Sequence, residues 1–113
     1  MNWKENWRQI ENKYQKAYAL WMQFDSPEAK ICVTYRDLYD FFDEQGMYVN
    51  VRADSIFGQG EYVNLWMWEI TTTKEGYVGI LEHGNLHLSD FSRTEIEEIA
   101  FEKAFEILEE KLK

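Results

Sequence analysis

Basic residues are scarce in this chain, and their scarcity limits the kinds of partner that it can bind. Its 113 residues include 12 Lys and Arg against 21 Asp and Glu, which gives a formal net charge of −9. Nucleic-acid binding depends on clustered Lys and Arg that neutralise phosphates. Anionic membrane surfaces attract the same residues. We therefore expect no direct contact with nucleic acid and no association with a membrane.

Cysteine and long apolar runs are also nearly missing. The single cysteine, Cys32, cannot form an internal disulfide, and we interpret it as a small, partly buried apolar residue. The first residues, MNWKENWRQ, carry charges where a signal peptide needs an apolar stretch. No segment approaches the roughly 20 apolar residues of a membrane span. These features predict a reducing, cytoplasmic location.

The motifs of common catalytic sites are missing as well. The glycine-bearing segment 55–60 (SIFGQG) lacks the spacing and the lysine of a phosphate-binding loop. Nothing matches a nucleophile elbow or a dinucleotide fingerprint. His83 and His87 invite a metal interpretation, but the hairpin register predicted below places them on opposite sheet faces. We therefore expect a protein that is not an enzyme and has no cofactor or metal.

Aromatic residues, by contrast, are abundant. They make up 17% of the chain, with five Trp, seven Tyr and seven Phe, and 45% of all residues are hydrophobic. A chain of this length and composition is expected to form one domain, residues 1–113, around one core. Large aromatic side chains anchor both cores and interfaces, so their positions carry most of the functional argument.

Residues 62–73 (YVNLWMWEITTT) form the central element of the predicted fold. Aromatic, β-branched and threonine residues dominate this segment, which favours a strand. Alternate side chains of a strand share a face. One face carries Val63, Leu65, Met67 and Glu69, and the other carries Tyr62, Asn64, Trp66, Trp68, Ile70 and Thr72. Both faces are apolar near the middle, so either two layers cover the strand or one face awaits a partner. We expect Glu69 to lie at the rim of the sheet.

Three further strands are predicted beside this one. Residues 47–54 alternate between apolar and polar side chains, and residues 55–60 read as a loop. A connection at residues 74–76 would place Thr73 opposite Tyr77, and a second hairpin is expected at Gly84-Asn85. This register assigns Leu81, Leu86 and Leu88 to the Leu65 face, and Val78, Ile80 and His87 to the Trp68 face.

Helices flank the predicted sheet. Residues 2–24 read as one helix with an aromatic seven-residue repeat, formed by Trp3, Trp7, Ile10, Tyr14, Ala17 and Trp21. A short helix over residues 35–45 follows a cap at Thr34 and ends at Gly46. A capping box at Ser92 and Glu95 starts a last helix that runs to about Leu112. Its wide apolar face suits packing on a sheet, and Glu98 is expected on its outer side.

These elements predict an α+β fold: an N-terminal helix, a short second helix, a four-stranded antiparallel β-meander and a long C-terminal amphipathic helix packed on the sheet. The segments YRDLYDFFDEQGMYVNV (35–51) and SRTEIEEIAFEKAFEILEEKL (92–112) flank a Trp-rich strand. In this order they resemble small uncharacterised proteins from phages and mobile elements of gut Bacteroidetes. The resemblance covers residues 34–113 and implies no catalytic residue.

The leading functional hypothesis is a non-catalytic protein–protein interaction module, with another protein or further copies of this chain as partner. The candidate interface aromatics are Trp66, Trp68, Trp3, Trp7 and Tyr14. Trp66 and Trp68 qualify if the N-terminal helix leaves their sheet face open. One alternative is an acidic nucleic-acid mimic that inhibits a DNA-binding enzyme, which needs two rows of carboxylates at duplex phosphate spacing. Another is a small-ligand-binding or catalytic domain, which needs an apolar pocket with converging polar groups.

Overall fold

A computed structural model describes residues 3–24, 35–74 and 77–113, without the side chains at positions 3–7, 35, 74 and 77. Over these ranges the helices are α1 (Trp3–Lys13), α2 (Gln15–Gln23), α3 (Tyr35–Glu44) and α4 (Arg93–Leu112), and the strands are β1 (Met47–Gly58), β2 (Glu61–Lys74) and β3 (Tyr77–His87). The predicted α+β class and the C-terminal helix are confirmed. The expectations for Thr34 and Cys32 fall outside the described residues.

The sheet is antiparallel, with β2 between β1 and β3. The predicted central strand is confirmed, but β1 continues to Gly58 rather than ending near residue 54. Gly58 pairs with Glu61, which leaves Gln59 and Gly60 as a two-residue turn. Their φ angles are 52° and 80°, as a type I′ turn requires, and such turns match the twist of paired strands. The predicted loop at 55–60 is therefore wrong, because this turn lets both strands extend to it.

The second predicted hairpin, at Gly84-Asn85, is also wrong, and the sheet has three strands rather than four in the part of the chain that the structure describes. One continuous strand, β3, passes through both residues. Gly84 lies directly opposite Trp68 on β2, and a Cβ built on Gly84 would be 2.6 Å from the indole Nε1. Glycine in a strand often marks such a close approach rather than a turn.

The predicted faces of β3 differ from its observed pairing with β2, which also has a register shift between Ile70 and Thr71. Trp66 lies opposite Leu86, so Leu86 shares the tryptophan face instead of the Leu65 face. Ile80 lies opposite Thr71, which places it on the other side from Trp68. The predicted pairing of Thr73 with Tyr77 is wrong by one residue, because Thr73 lies opposite Val78, and such a slip moves Val78 and Ile80 to the other face. The face of Leu86 differs because the strand does not turn at Gly84 and Asn85.

All of the described helices contribute to one core on one face of the sheet. From the strands, Met47, Val49, Val51, Trp68 and Ile70 are buried there. From α4, the buried residues include Ile96, Ala100, Phe101, Ala104, Phe105 and Leu108, as its amphipathic pattern predicts. Glu98 is an exception to that pattern, because it is 6% exposed rather than on the outer side. Phe41 and Phe42 of α3 contact the α4 rings, with centroids of Phe42 and Phe105 5.0 Å apart.

The predicted single N-terminal helix is instead two helices that meet at Tyr14. Tyr14 has φ −127° and ψ 60°, outside the helical region. Beyond it, the backbone N–H groups of Lys16 and Ala17 donate to the two carboxylate oxygens of Glu109 on α4, at 3.2 and 2.8 Å. A side chain inserted into the helical hydrogen-bond ladder is a recognised cause of a kink. Glu109 thus supplies the N-terminal cap of α2 that Tyr14 does not.

Candidate interaction surface

The two candidate tryptophans of β2 lie on the face that the helices cover. Trp68 is 7% exposed and belongs to the core. Trp66 is half-buried against that core, and its indole Nε1–H donates to the carbonyl of Phe91 at 2.9 Å. The alternative in which this sheet face stays open for a partner is therefore wrong. Sequence reasoning could not choose between the faces, because both are apolar near the middle of β2.

The other three candidate aromatics lie in the N-terminal helices. Trp3 and Trp7 are in α1, and their side chains are outside the described part of the structure. Tyr14 lies at the junction of α1 and α2, half-buried against the core. Burial, with a further contribution from Glu102 and Glu106, raises the pKa of its phenol. None of the candidates with a described side chain is thus an exposed anchor.

Exposed apolar side chains form one group at the far end of the β1–β2 hairpin and another on β3, at Val78, Ile80 and Leu81. We call residues 55–64 the arm. Within it Ile56 is 46% exposed, Phe57 62% and Tyr62 73%. The rings of Phe57 and Tyr62 lie across the hairpin from each other, with centroids 4.9 Å apart. The predicted loop at 55–60 conceals this site; the signal in the sequence is the apolar residues on both sides of a short glycine turn.

The arm extends beyond both the third strand and the core. The ladder between β2 and β3 ends where Leu65 pairs with His87, and one more backbone bond follows, from Leu88 N–H to the Asn64 carbonyl at 3.1 Å. On β1 the last buried residue is Val51. Two strands alone are marginally stable in water. The arm is therefore a surface element that adds little to the core.

An ion pair lies at the centre of the sheet face opposite the core, which we call the uncovered face. Arg52 Nη1 lies 3.2 Å from Glu69 Oε1, and the Asn50 amide donates to the same oxygen at 3.4 Å. Glu69 was predicted at the rim; it lies instead on the central strand, with a cation as its neighbour. Ile80 and His83 flank this pair in a shallow depression. Because Arg52 and Glu69 bind each other, their charges are not free to converge with His83 on a ligand.

The two histidines share the uncovered face. His83 lies opposite Glu69 and His87 opposite Leu65, so the prediction of opposite faces is wrong. Four residues along a strand separate them by about 13 Å, too far for both to bind one metal ion. Among the described residues, no three His, Cys, Asp or Glu side chains form a group that could hold a metal. In the same part of the chain, no helix is long and apolar enough to cross a membrane.

Several carboxylates of α4 are used within the fold. Glu97 is 7% exposed and accepts the Tyr39 hydroxyl at 3.0 Å. Glu95 forms both halves of the predicted capping box with Ser92, and these hydrogen bonds lower the pKa of its carboxyl. Glu109 caps α2 as described above. A duplex mimic needs two exposed rows of carboxylates, and these three contribute to helix ends and the protein interior instead.

The fold and the arm together define an α+β protein whose sheet is covered on one face and whose hairpin projects beyond its core. No family model matches the chain, and neither a curated protein nor a solved structure does.

Proposed function

We propose that this chain is a non-catalytic protein–protein interaction module that binds its partner through the arm. The observation that supports this proposal is the exposure of Ile56, Phe57 and Tyr62 on one hairpin. Clustered exposed apolar side chains mark interaction sites on soluble proteins. Phenylalanine and tyrosine are also enriched at the buried centres of interfaces. Within this proposal the protein is cytoplasmic, and its partner is another protein or a further copy of the chain.

The charge of the arm favours burial against a partner. Glu61 is its one charged residue, although the whole chain carries −9. Burying an unpaired charge is costly, whereas burying apolar rings is favourable by about 25 cal/mol per Å². Association through the arm therefore removes apolar area from water and buries few unpaired charges.

Site-specific photocrosslinking tests the proposal. A photoreactive phenylalanine analogue replaces Phe57 in one variant and Met22 in a matched control, since Met22 is 47% exposed on α2. After illumination of the cells that make the protein, we expect covalent adducts with protein from position 57 in clear excess over position 22. Equal yields at the two positions, or no protein adduct at position 57, would contradict the proposed role of the arm.

A further inference from the structure

The outer edge of β1 presents backbone groups that pair with no other described strand. The Leu88 N–H donates to the Asn64 carbonyl, so even-numbered residues of β2 point their backbone groups towards β3. Since β1 pairs with β2 without a register shift, the odd-numbered residues of β1 point theirs outward. Accordingly, the Ser55 N–H contacts the carboxylate of Asp54 at 2.8 Å instead of a ladder partner. No described strand other than β2 pairs with β1.

The two edges of the sheet differ in how well they resist pairing with another chain. β3 contains the register shift opposite Ile70 and Thr71, and such bulges disrupt edge-to-edge pairing. β1 pairs regularly along its 12 residues and contains neither proline nor lysine. Its two charged residues, Arg52 and Asp54, have opposite signs. β1 is thus the edge that can accept a further strand.

We propose that the β1 edges of two copies of this chain pair antiparallel about a two-fold axis through Ala53, so that Arg52 of each copy lies opposite Asp54 of the other. The proposal rests on the proposed function and names the partner as a second copy. A two-fold interface brings the same surface of both copies together, so the strand must be complementary to itself. A neutral strand in a chain of charge −9 is where two copies repel each other least.

The charges on β1 select this register. The β1 residues whose backbone N–H and C=O groups point outward are odd-numbered. Odd residues of one copy must therefore pair with odd residues of the other across the new edge. An axis through Arg52 would set arginine against arginine, and an axis through Asp54 would set aspartate against aspartate. With the axis at Val51 or Ser55, Arg52 and Asp54 do not face each other. The axis at Ala53 makes two cross-strand pairs of opposite charge, which are stabilising when directly opposite.

Side-chain size agrees with the same register. Phe57, 62% exposed, would lie opposite Val49 of the second copy, on the face that the helices cover. Tyr48, 39% exposed, would lie opposite Gly58 of the second copy. The space around Gly58 is open, with no atom within 4 Å of a Cβ built there. The pairing would therefore bring Tyr48 over an open position and Phe57 beside Val49, and burial of these rings favours association.

Disulfide trapping tests the register. In a Cys32→Ser background, Ala53→Cys would place two thiols across the axis with Cα atoms about 5.5 Å apart, within disulfide range. Ser55→Cys is the matched control, because residue 55 is also exposed but its two copies would lie about 13 Å apart along the strands. We expect mild oxidation to give a covalent dimer from Ala53→Cys and little from Ser55→Cys. Equal trapping at both positions would overturn the register.

Sedimentation of the unmodified chain at about 0.15 M salt tests the dimer itself. We expect a species of twice the 13.7 kDa chain mass. Asp54→Asn keeps an acceptor for the Ser55 N–H but removes both charge pairs, so the dissociation constant should rise roughly fivefold. A chain that stays monomeric at every concentration would overturn this inference. If the chain is monomeric, adducts between position 57 and a different protein would still support the proposed function, whereas no protein adduct at position 57 would contradict it.

Discussion

The indole of Trp68 occupies the space in which a side chain at Gly84 would lie. A Cβ on Gly84 would be 2.6 Å from the indole Nε1 and 2.7 Å from Cε2, closer than atoms in proteins approach without contact strain. Trp68 is 7% exposed, so its ring is confined by the core and cannot move aside freely. The residue that resembles a turn glycine is therefore a packing requirement of the sheet.

Replacing Gly84 with alanine should destabilise the protein by about 1–3 kcal/mol, because overpacking at a buried ring forces side-chain and backbone shifts. Gly79→Ala on the same strand is the matched control. A Cβ at Gly79 would meet Thr72 Cγ2 at 3.9 Å, an ordinary contact. Its effect should stay within about 0.5 kcal/mol. Urea unfolding measures both, and equal stabilities for the two variants would contradict the packing at Gly84.

Glu109→Ala should cost about 1–2 kcal/mol, because it leaves two backbone donors at the start of α2 without their acceptor. Glu109→Gln retains an acceptor oxygen, so it should lose less. The control is Glu106→Ala on the same helix, where the carboxylate forms an exposed pair with Lys103 at 3.2 Å. Exposed pairs contribute little, and we expect about 0.5 kcal/mol or less. Urea unfolding followed by circular dichroism measures all three; similar losses in the two alanine variants would show that Glu109 is not a cap.

The Tyr39 phenol should make the free energy of unfolding fall at alkaline pH. Burial, followed by the charge of Glu97, raises its pKa above the ordinary 10.0. A group whose pKa is raised in the folded state contributes stability that is fully present below its unfolded pKa. That contribution is lost as the pH rises above 10.0 towards the folded-state pKa. The loss therefore begins at about pH 10 and not near neutrality.

Tyr39→Phe tests this dependence. At neutral pH it should cost about 1 kcal/mol, because the hydroxyl no longer donates to the buried Glu97. Between about pH 8 and about pH 11 its unfolding free energy should then fall less than that of the unmodified chain. Tyr14 and Tyr18, whose phenol pKa values are also raised, remain in both proteins. If the unfolding free energies of the two proteins fell in parallel over this pH range, the assignment of this dependence to Tyr39 would be wrong.

The arm should be dispensable for the stability of the monomer. Phe57→Ser changes a ring that is 62% exposed, and we expect dilute protein to lose no more than about 0.5 kcal/mol. Phe42→Ala, at a fully buried ring in α3, should cost about 3–5 kcal/mol. Thermal unfolding of dilute samples separates the two. If Phe57→Ser lowered the unfolding free energy as much as Phe42→Ala does, the arm would be part of the stable fold.

The sequence predicts those elements whose signals are local. The Trp, Ile and Thr content of residues 62–73 is enough to identify β2, and the Ser92–Glu95 capping box marks the start of α4. Both depend on residues within a few positions of each other. The wide apolar face of α4 likewise follows from helical periodicity alone.

The errors concern residues whose roles depend on distant partners. Gly84 has the composition of a turn, and only its pairing with Trp68 makes it a strand residue. The helix boundary at Tyr14 depends on Glu109, more than 90 residues away in the chain. The site was missed for a similar reason, since the length of the arm depends on how far β1 and β2 pair. Local propensity carries no information about these contacts.

Amide hydrogen exchange along β1, followed by NMR in dilute and in concentrated protein, tests most directly whether copies of the chain pair through this edge. The N–H groups of Val51 and Ala53 point outward, whereas those of Arg52 and Asp54 already bond to β2 and serve as internal controls. The dimer predicts that exchange at Val51 and Ala53 slows markedly with concentration while the controls change far less. Fast exchange at Ala53 at every concentration would contradict it.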